Sequence, residues 1–262
     1  MKRLIYQVYV GKPTKLYDEC INSVKLYCLK HNIDHIVQKE PILKIMPDPN
    51  RSGRSKEAVE RLGYLPIYEK ENAFSYLKEY DQVAIVDSDI YIKNTAPNIF
   101  NELPVEYAFG GVVERDLPTA KKHKSRVIKY SNNAFKHFTD VQWDWNHLGA
   151  DYFNMGLMIL NSKQFLPYLK NETVEEFFKR PEFKDFIDGV GYYKWSTDQI
   201  MLNWWVKKES MAVKKLDWRW NALYKGIEDK YLKDAHFIHF FLKDLLPNKG
   251  EDVKEILKII EI

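Results

Sequence analysis

The sequence predicts an α/β fold in which a mixed, mainly parallel central sheet is flanked by helices. Three observations carry that prediction. The chain opens strand, helix, strand; its most strand-like run, "DQVAIVDSD", holds four consecutive apolar residues at 83 to 86, as in a strand covered on both faces; and later strand candidates alternate with helical patterns. In order, "RLIYQVYV" reads as the first strand, and "KLYDECINSVKLYCLKHN" as a helix with Leu16, Cys20, Val24 and Tyr27 at near-helical spacing. "IDHIVQ" is the second strand. "MPDPNRSGRSK" is a loop by its Pro, Asp, Asn and Gly content, of the kind that often lies over a ligand. "SKEAVERLGYLPIYEKENAFSYLKEY" reads as helix, break, helix. "VEYAFGGVV" and "ADYFNMGLMILN" are further strands, and the basic stretch "ERDLPTAKKHKSRVIKYSNN" between them reads as a solvated face or mobile loop. "STDQIMLNWWVKK" is a helix capped by Ser196 or Thr197, "AHFIHFFL" a late strand, and "EDVKEILKIIEI" a terminal amphipathic helix.

At 262 residues without repeats or a linker-like tract, the chain is expected to form one domain, residues 1–262. Forty Lys and Arg against 37 Asp and Glu leave a formal charge of +3, and with no basic-aromatic motif this argues against a nucleic-acid partner. Cys20 and Cys28 are the two cysteines, too few for a disulfide framework, so a reducing, cytoplasmic location is expected. No apolar window approaches the length of a spanning helix.

Asp87 and Asp89 follow directly on the buried-looking strand. Two carboxylates at the C-terminal edge of an α/β sheet, where ligands collect, can hold a divalent cation; a solvated turn is the alternative. A cation there would neutralise charge on a departing diphosphate. A further ligand would come from His236 or His239, which on a strand face opposite ways, so that at most one points into the site.

With its neighbours, "YDQVAIVDSDIYIKN" resembles the D-x-D segment of GT-A glycosyltransferases, especially the retaining family 8 enzymes that include glycogenin and the bacterial lipopolysaccharide galactosyltransferases. The likeness extends to "YFNMGLMILN", "STDQIMLN" and "IHF", in family order between about residues 80 and 242. The resemblance implies Asp87, Asp89 and His239 as ligands of Mn2+ (or Mg2+), with Asp87 also on the donor ribose. It implies Asn154 and Gly156 beside the donor sugar, Asp198 near its hydroxyls, Gln199 near the reacting carbon, and Lys70 on the sugar or phosphate. Residues 1–100 would form the nucleotide-sugar half, and 101–262 the sugar and acceptor half with the C-terminal helix. The implied activity is retaining transfer of a hexose from a nucleotide sugar, UDP-sugar favoured, to a glycan, glycolipid or glycoprotein acceptor.

Two segments depart from that pattern. "YQVYVGKP" lacks the acidic and Asn residues near the base and ribose, which leaves a GDP-sugar open. "HFFLKDLLPNKG" has Leu242 where the family has glycine, with Lys243 early and Lys249 its rival for the diphosphate. Trp143 and Trp145, and Trp218 and Trp220, either line an acceptor cleft by stacking on sugar faces or pack in the core. The competing readings are a GT-A-like carbohydrate-binding protein without transfer and a metal-dependent nucleotidyltransferase. Retention, as the resemblance implies, would proceed by front-face attack with the departing phosphate taking the acceptor proton, or through a covalent intermediate on a carboxylate such as Asp198 or Asp151.

Overall fold

The computed structural model describes residues 1–11, 14–54 and 62–260, apart from the side chains of Trp195, Lys243 and Ile259. Strands β1 (Arg3–Val8), β2 (Asp34–Gln38), β3 (Gln82–Val86), β5 (Phe109–Val113), β8 (Phe153–Asn161) and β9 (Val213–Lys215) form one sheet in the order β2-β1-β3-β8-β5-β9. The β1/β2, β1/β3 and β5/β9 pairs are parallel, and β8 runs antiparallel to both its neighbours. A second sheet pairs β10 (Ala222–Leu223) and β11 (Phe237–His239) with β4 (Ile90–Ile92), and β6 (Trp145–Asn146) pairs with β7 (Gly149–Ala150). The predicted fold class is the observed one.

The unalternating β3 run has a direct physical cause. Val83 and Ile85 enter the core on one face of the sheet while Ala84 and Val86 enter the core on the other, so every position demands an apolar side chain. In β8 the faces exchange at Gly156: Phe153 and Met155 share one core with Met158 and Leu160, whereas Leu157 and Ile159 join the other. An irregularity in the β5/β8 register accompanies the change. It aims Asn154 and Gly156 at the sheet edge where β3 ends.

Helix α1 (Lys15–His31) starts at Thr14, whose side chain accepts from the Tyr17 amide at 3.3 Å, and ends at Asn32 in the left-handed region. Both cysteines face inward from it. The basic stretch read as a solvated face or mobile loop is largely a helix, α2 (Lys121–Phe135). Its buried residues, His123, Val127, Ser131 and Phe135, recur every fourth position, but two are polar, so an apolar count misses the stripe.

The predicted helix after the break at Pro66 is instead a 3-10 helix over Pro66–Lys78. Tyr68, Glu71, Phe74 and Leu77 stack at its three-residue repeat and are buried. Glu69 faces another way and accepts from the amides of Ile42 and Lys44, each at 2.7 Å, which satisfies a buried carboxylate. The helix expected just before the break falls partly on residues 55–61, outside those described. Its loop is fixed to the 185–196 segment: Arg54 donates to the Phe186 and Ile187 carbonyls at 2.6 Å, and Arg51 pairs with Asp185 at 2.7 Å.

Glu71 is fully buried and neither carboxyl oxygen has a hydrogen-bond partner. Burial, reinforced by the Asp198 charge, pushes its pKa well above the ordinary 4.5. A folded pKa raised above the unfolded one contributes stability below the unfolded value and loses it as pH rises through the folded value. Glu71→Gln, which mimics the protonated acid, is therefore expected to gain Tm relative to the parent as pH is raised above 4.5, measured by thermal melts across that range.

Candidate active site

Chain pairing builds the site. Asp87 closes β3, and its amide donates to the Gly156 carbonyl at 2.8 Å, placing it beside the start of β8. The antiparallel β11/β4 register sets His239 opposite Ile90, and Phe240 N bonds the Asp89 carbonyl at 2.9 Å. Sheet geometry thus brings His239 from the far end of the sequence onto the aspartates. His239 Nε2 lies 3.2 Å from Asp89 Oδ1 and 3.9 Å from Asp87 Oδ2, and one ligand atom from each of the three residues lies within 4.8 Å of the others. His236, the residue before β11, packs instead on Trp220 with ring centroids 4.7 Å apart.

Two carboxylates and an imidazole suit a divalent cation. The imidazole is oriented for it: His239 Nδ1 is 3.1 Å from Asn221 Oδ1, and since an amide oxygen only accepts, Nδ1 donates and Nε2 is the ring nitrogen turned toward the aspartates. Asn221 in turn donates to Asn154 Oδ1 at 2.9 Å. Gly156 has a steric role, because a Cβ there would stand 2.4 Å from His239 Cε1. Asn221→Ala is expected to weaken Mn2+ binding by about 10- to 100-fold, the usual cost of losing an outer partner of a metal ligand, as read by titration calorimetry.

Lys70 is a second electrostatic centre. Its ammonium lies 2.8 Å from Asp198 Oδ2 and 3.1 Å from Asp87 Oδ1, and donates to the Met155 carbonyl at 2.7 Å. Burial opposes its charge, but the Asp198 and Asp87 carboxylates prevail and raise its pKa above 10.5. Burial lifts the Asp87 pKa, with repulsion from Asp89 adding to it and Lys70 opposing. For Asp89, burial is outweighed by the charge and hydrogen bond of His239, so its pKa falls. Burial also works against the His239 imidazolium, and Asp89 then Asp87 overcome it to raise the pKa above 6.5.

Helix α3 (Asp198–Lys208) begins after Thr197, which occupies the cap position without making a side-chain cap bond. Asn203 ties the helix to β8 by bonding both Phe153 N (2.7 Å) and Phe153 O (2.8 Å). That anchor sets Gln199, whose Oε1 accepts from Met155 N at 3.1 Å and whose Nε2 donates to Tyr130 OH at 3.1 Å. Asn154 donates to Glu114 Oε2 at 3.0 Å.

Two cavities meet at this cluster. One of about 460 Å³ is lined by Lys70, Asp87, Asp89, Asn154, Gly156, Asp198, Gln199 and His239, together with Glu114, His123, Arg126, Tyr130 and Phe241. The other, about 290 Å³, lies toward the end of β1 and includes Val8, Val10, Tyr17, Ile67 and Ser88 along with Lys70, Asp87, Asp89 and Asp198. The sequence reading did not single out Glu114, His123, Arg126, Tyr130 or Asn221, because all arrive from segments outside the four resembling motifs.

Trp143 and Trp220 are buried in the two cores, Trp143 against Phe135 at 4.6 Å and Trp220 against Phe237 at 5.3 Å. Trp145 is 41% exposed on β6, and Trp218 packs edge-on to Tyr231. None of the four lines either cavity. Asp151 is bound to Lys207 at 2.8 Å and lines neither cavity, whereas Asp198 lines both. Lys249 is exposed and is absent from both linings, while the Lys243 side chain lies outside the described residues.

No family model matches the sequence, and no curated protein matches it. Among solved structures, the apo WbbM bifunctional glycosyltransferase superposes with a TM-score of 0.50 at 11% identity, covering 99% of this chain, which spans 51% of that one. A glycosyltransferase involved in glycosylation of the major capsid of PBCV-1 gives 0.49 at 13% identity, with 98% of this chain and 100% of that one covered. An active-site mutant of LgtC gives 0.48 at 14%, with 97% and 95% covered. At such identities the likeness concerns architecture. With the sheet order above and the superposition on WbbM, the chain has a GT-A-like glycosyltransferase fold carrying a candidate acidic and histidine metal cluster.

Proposed function

We propose that the protein is a metal-dependent glycosyltransferase that moves a hexose from a nucleotide diphosphate sugar, UDP-sugar favoured, to a hydroxyl of a glycan, glycolipid or glycoprotein, with retention. The observation that carries this reading is the convergence of Asp87, Asp89 and His239 beside Lys70 at the sheet edge where the two cavities meet. The smaller cavity takes the nucleoside against Val8, Val10 and Tyr17; the larger takes the donor sugar and acceptor.

Asp87, Asp89 and His239 would hold Mn2+ (or Mg2+), which when bound supplies neutralisation of the leaving diphosphate. Lys70 adds a fixed positive charge kept by its two carboxylate neighbours. Asn154 and Gln199 each have an amide N–H with no partner among the described residues, suited to sugar hydroxyls. Asp198, held by Lys70, faces the same space and can stabilise positive charge on the sugar ring.

Titration calorimetry with UDP- and GDP-sugars, with and without Mn2+, tests the reading. One donor binding only with metal supports it; a folded protein that binds none of the panel under either condition refutes it. NMR of the product anomer then tests retention, with an inverted anomer excluding that part of the proposal.

A further inference from the structure

A third cavity, of about 730 Å³, shares His123 and Arg126 with the larger one and is lined also by Lys121, Lys122, Lys225, Glu228, Asp229 and the apolar Ile227, Leu242 and Leu245. Its charges are unevenly matched. Glu228 is paired with Lys230 at 2.9 Å and Asp229 with Lys225 at 3.3 Å, so both acids on the wall already have cations. Among the described residues, Lys121, Lys122 and Arg126 have no ion-pair partner. They stand on the first turns of α2, whose cap residue Ala120 makes no side-chain bond and whose first turn holds no acid. The positive end of this 15-residue helix therefore has neither a side-chain cap nor an acid in its own first turn.

His123 supplies an independent indication. It is 5% exposed, lines both cavities, and its Nε2 has no hydrogen-bond partner; the nearest carboxylate oxygen, Glu114 Oε1, is 3.8 Å away. A buried ring nitrogen left without a partner at the neck between two cavities is a polar group whose bond a ligand would complete.

We propose that this neck and the cavity beyond it form an anion subsite for the acceptor. It would receive a phosphate or carboxylate on the unit next to the hydroxyl that is glycosylated. Arg126 meets the anion with its planar fork, Lys121, Lys122 and the positive end of the helix dipole add favourable electrostatics, and His123 Nε2 contributes a hydrogen bond. Leu242, which replaces the family's glycine, and Leu245 provide an apolar wall for the rest of the acceptor. The assignment of the anion to the acceptor rests on the proposed transferase reading; the subsite itself rests on α2 alone.

The test titrates intact protein, free of divalent metal, with glucose 6-phosphate, glucuronate and neutral glucose, following amide shifts by NMR. Binding of either anion at least about tenfold tighter than glucose is expected, since hydrogen bonds to a charged group are stronger than those to a neutral hydroxyl. The double variant Arg126→Gln/Lys122→Gln, altered at exposed positions, should lose that preference. Asp89→Ala should retain it, because an anion held at the metal cluster would respond to Asp89 instead. Preference for the phosphate identifies a phosphorylated acceptor, and preference for glucuronate a uronate-bearing one. Anions bound no tighter than glucose, or equally well by the double variant, overturn the proposal. Failure of donor binding with the anion preference intact would remove the transferase reading and leave the subsite standing.

Discussion

Replacing Asp89 by alanine is expected to reduce Mn2+-dependent donor binding and sugar transfer by more than about a hundredfold, since loss of even an outer partner of a metal ligand typically costs 10- to 100-fold. The variant removes the carboxylate nearest His239 and leaves Asp87, whose own pKa burial has raised, to hold the cation with the imidazole. Radiolabel transfer and Mn2+ titration, both on the variant, check this; wild-type affinity for the metal would contradict it. The same pair predicts a pH dependence. Because the His239 pKa is raised above 6.5, the ring protonates early on acidification, and metal binding must displace that proton. Mn2+ affinity should therefore begin to fall at a pH above 6.5 as the solution is acidified, and binding in that acidified range should release a proton, so that the observed binding enthalpy shifts with the ionisation enthalpy of the buffer.

Lys70→Met is expected to destabilise the fold by about 3 kcal/mol at pH 7, the scale found when one partner of a buried pair is removed. Asp87 and Asp198 would then share a partly enclosed space without their common counter-ion, their Lys70 contacts being 3.1 and 2.8 Å. The sign with pH follows. In the parent, the raised Lys70 pKa keeps the ammonium charged, and that contribution is lost on the alkaline side only as pH climbs past 10.5 through the raised value. The deficit of the variant comes from uncompensated carboxylate charge and shrinks as acid protonates Asp87, whose pKa burial already raises. Urea unfolding at pH 7 and pH 4.5 should show the larger gap at pH 7; a gap independent of pH would place the cost in packing instead. Loss of donor affinity should accompany the substitution, since no other ammonium occupies this position among the residues lining both cavities.

The sheet and the two aspartates at its edge were readable because each obeys a short-range rule. Consecutive apolar residues at 83 to 86 mean two covered faces, and aspartates directly after them mean a strand end. The rest depends on pairings that no local window contains. Asn221 reaches His239 only through the parallel β10/β11 pair, and nothing in "LDWRWNAL" distinguishes it from a turn asparagine. Helix α2 hid its inward stripe by using His123 and Ser131 among Val127 and Phe135. The 3-10 segment was obscured by Glu71 in the middle of a buried row. The tryptophan pairs were ambiguous for a different reason: i,i+2 spacing fits a core or a cleft equally, and burial resolved Trp143 and Trp220 in favour of the core.

The β11/β4 pairing also bears on how the polypeptide matures. During synthesis the early strands can assemble before β11 leaves the ribosome, yet β4 then presents an apolar Ile-Tyr-Ile edge with no strand to cover it. Closure of that edge and delivery of His239 are one event, and contacts so distant in sequence form slowly. Chains stalled before Phe237 should be prone to aggregation and unable to bind Mn2+ at this site, whereas metal uptake in a refolding experiment would time the last step of folding.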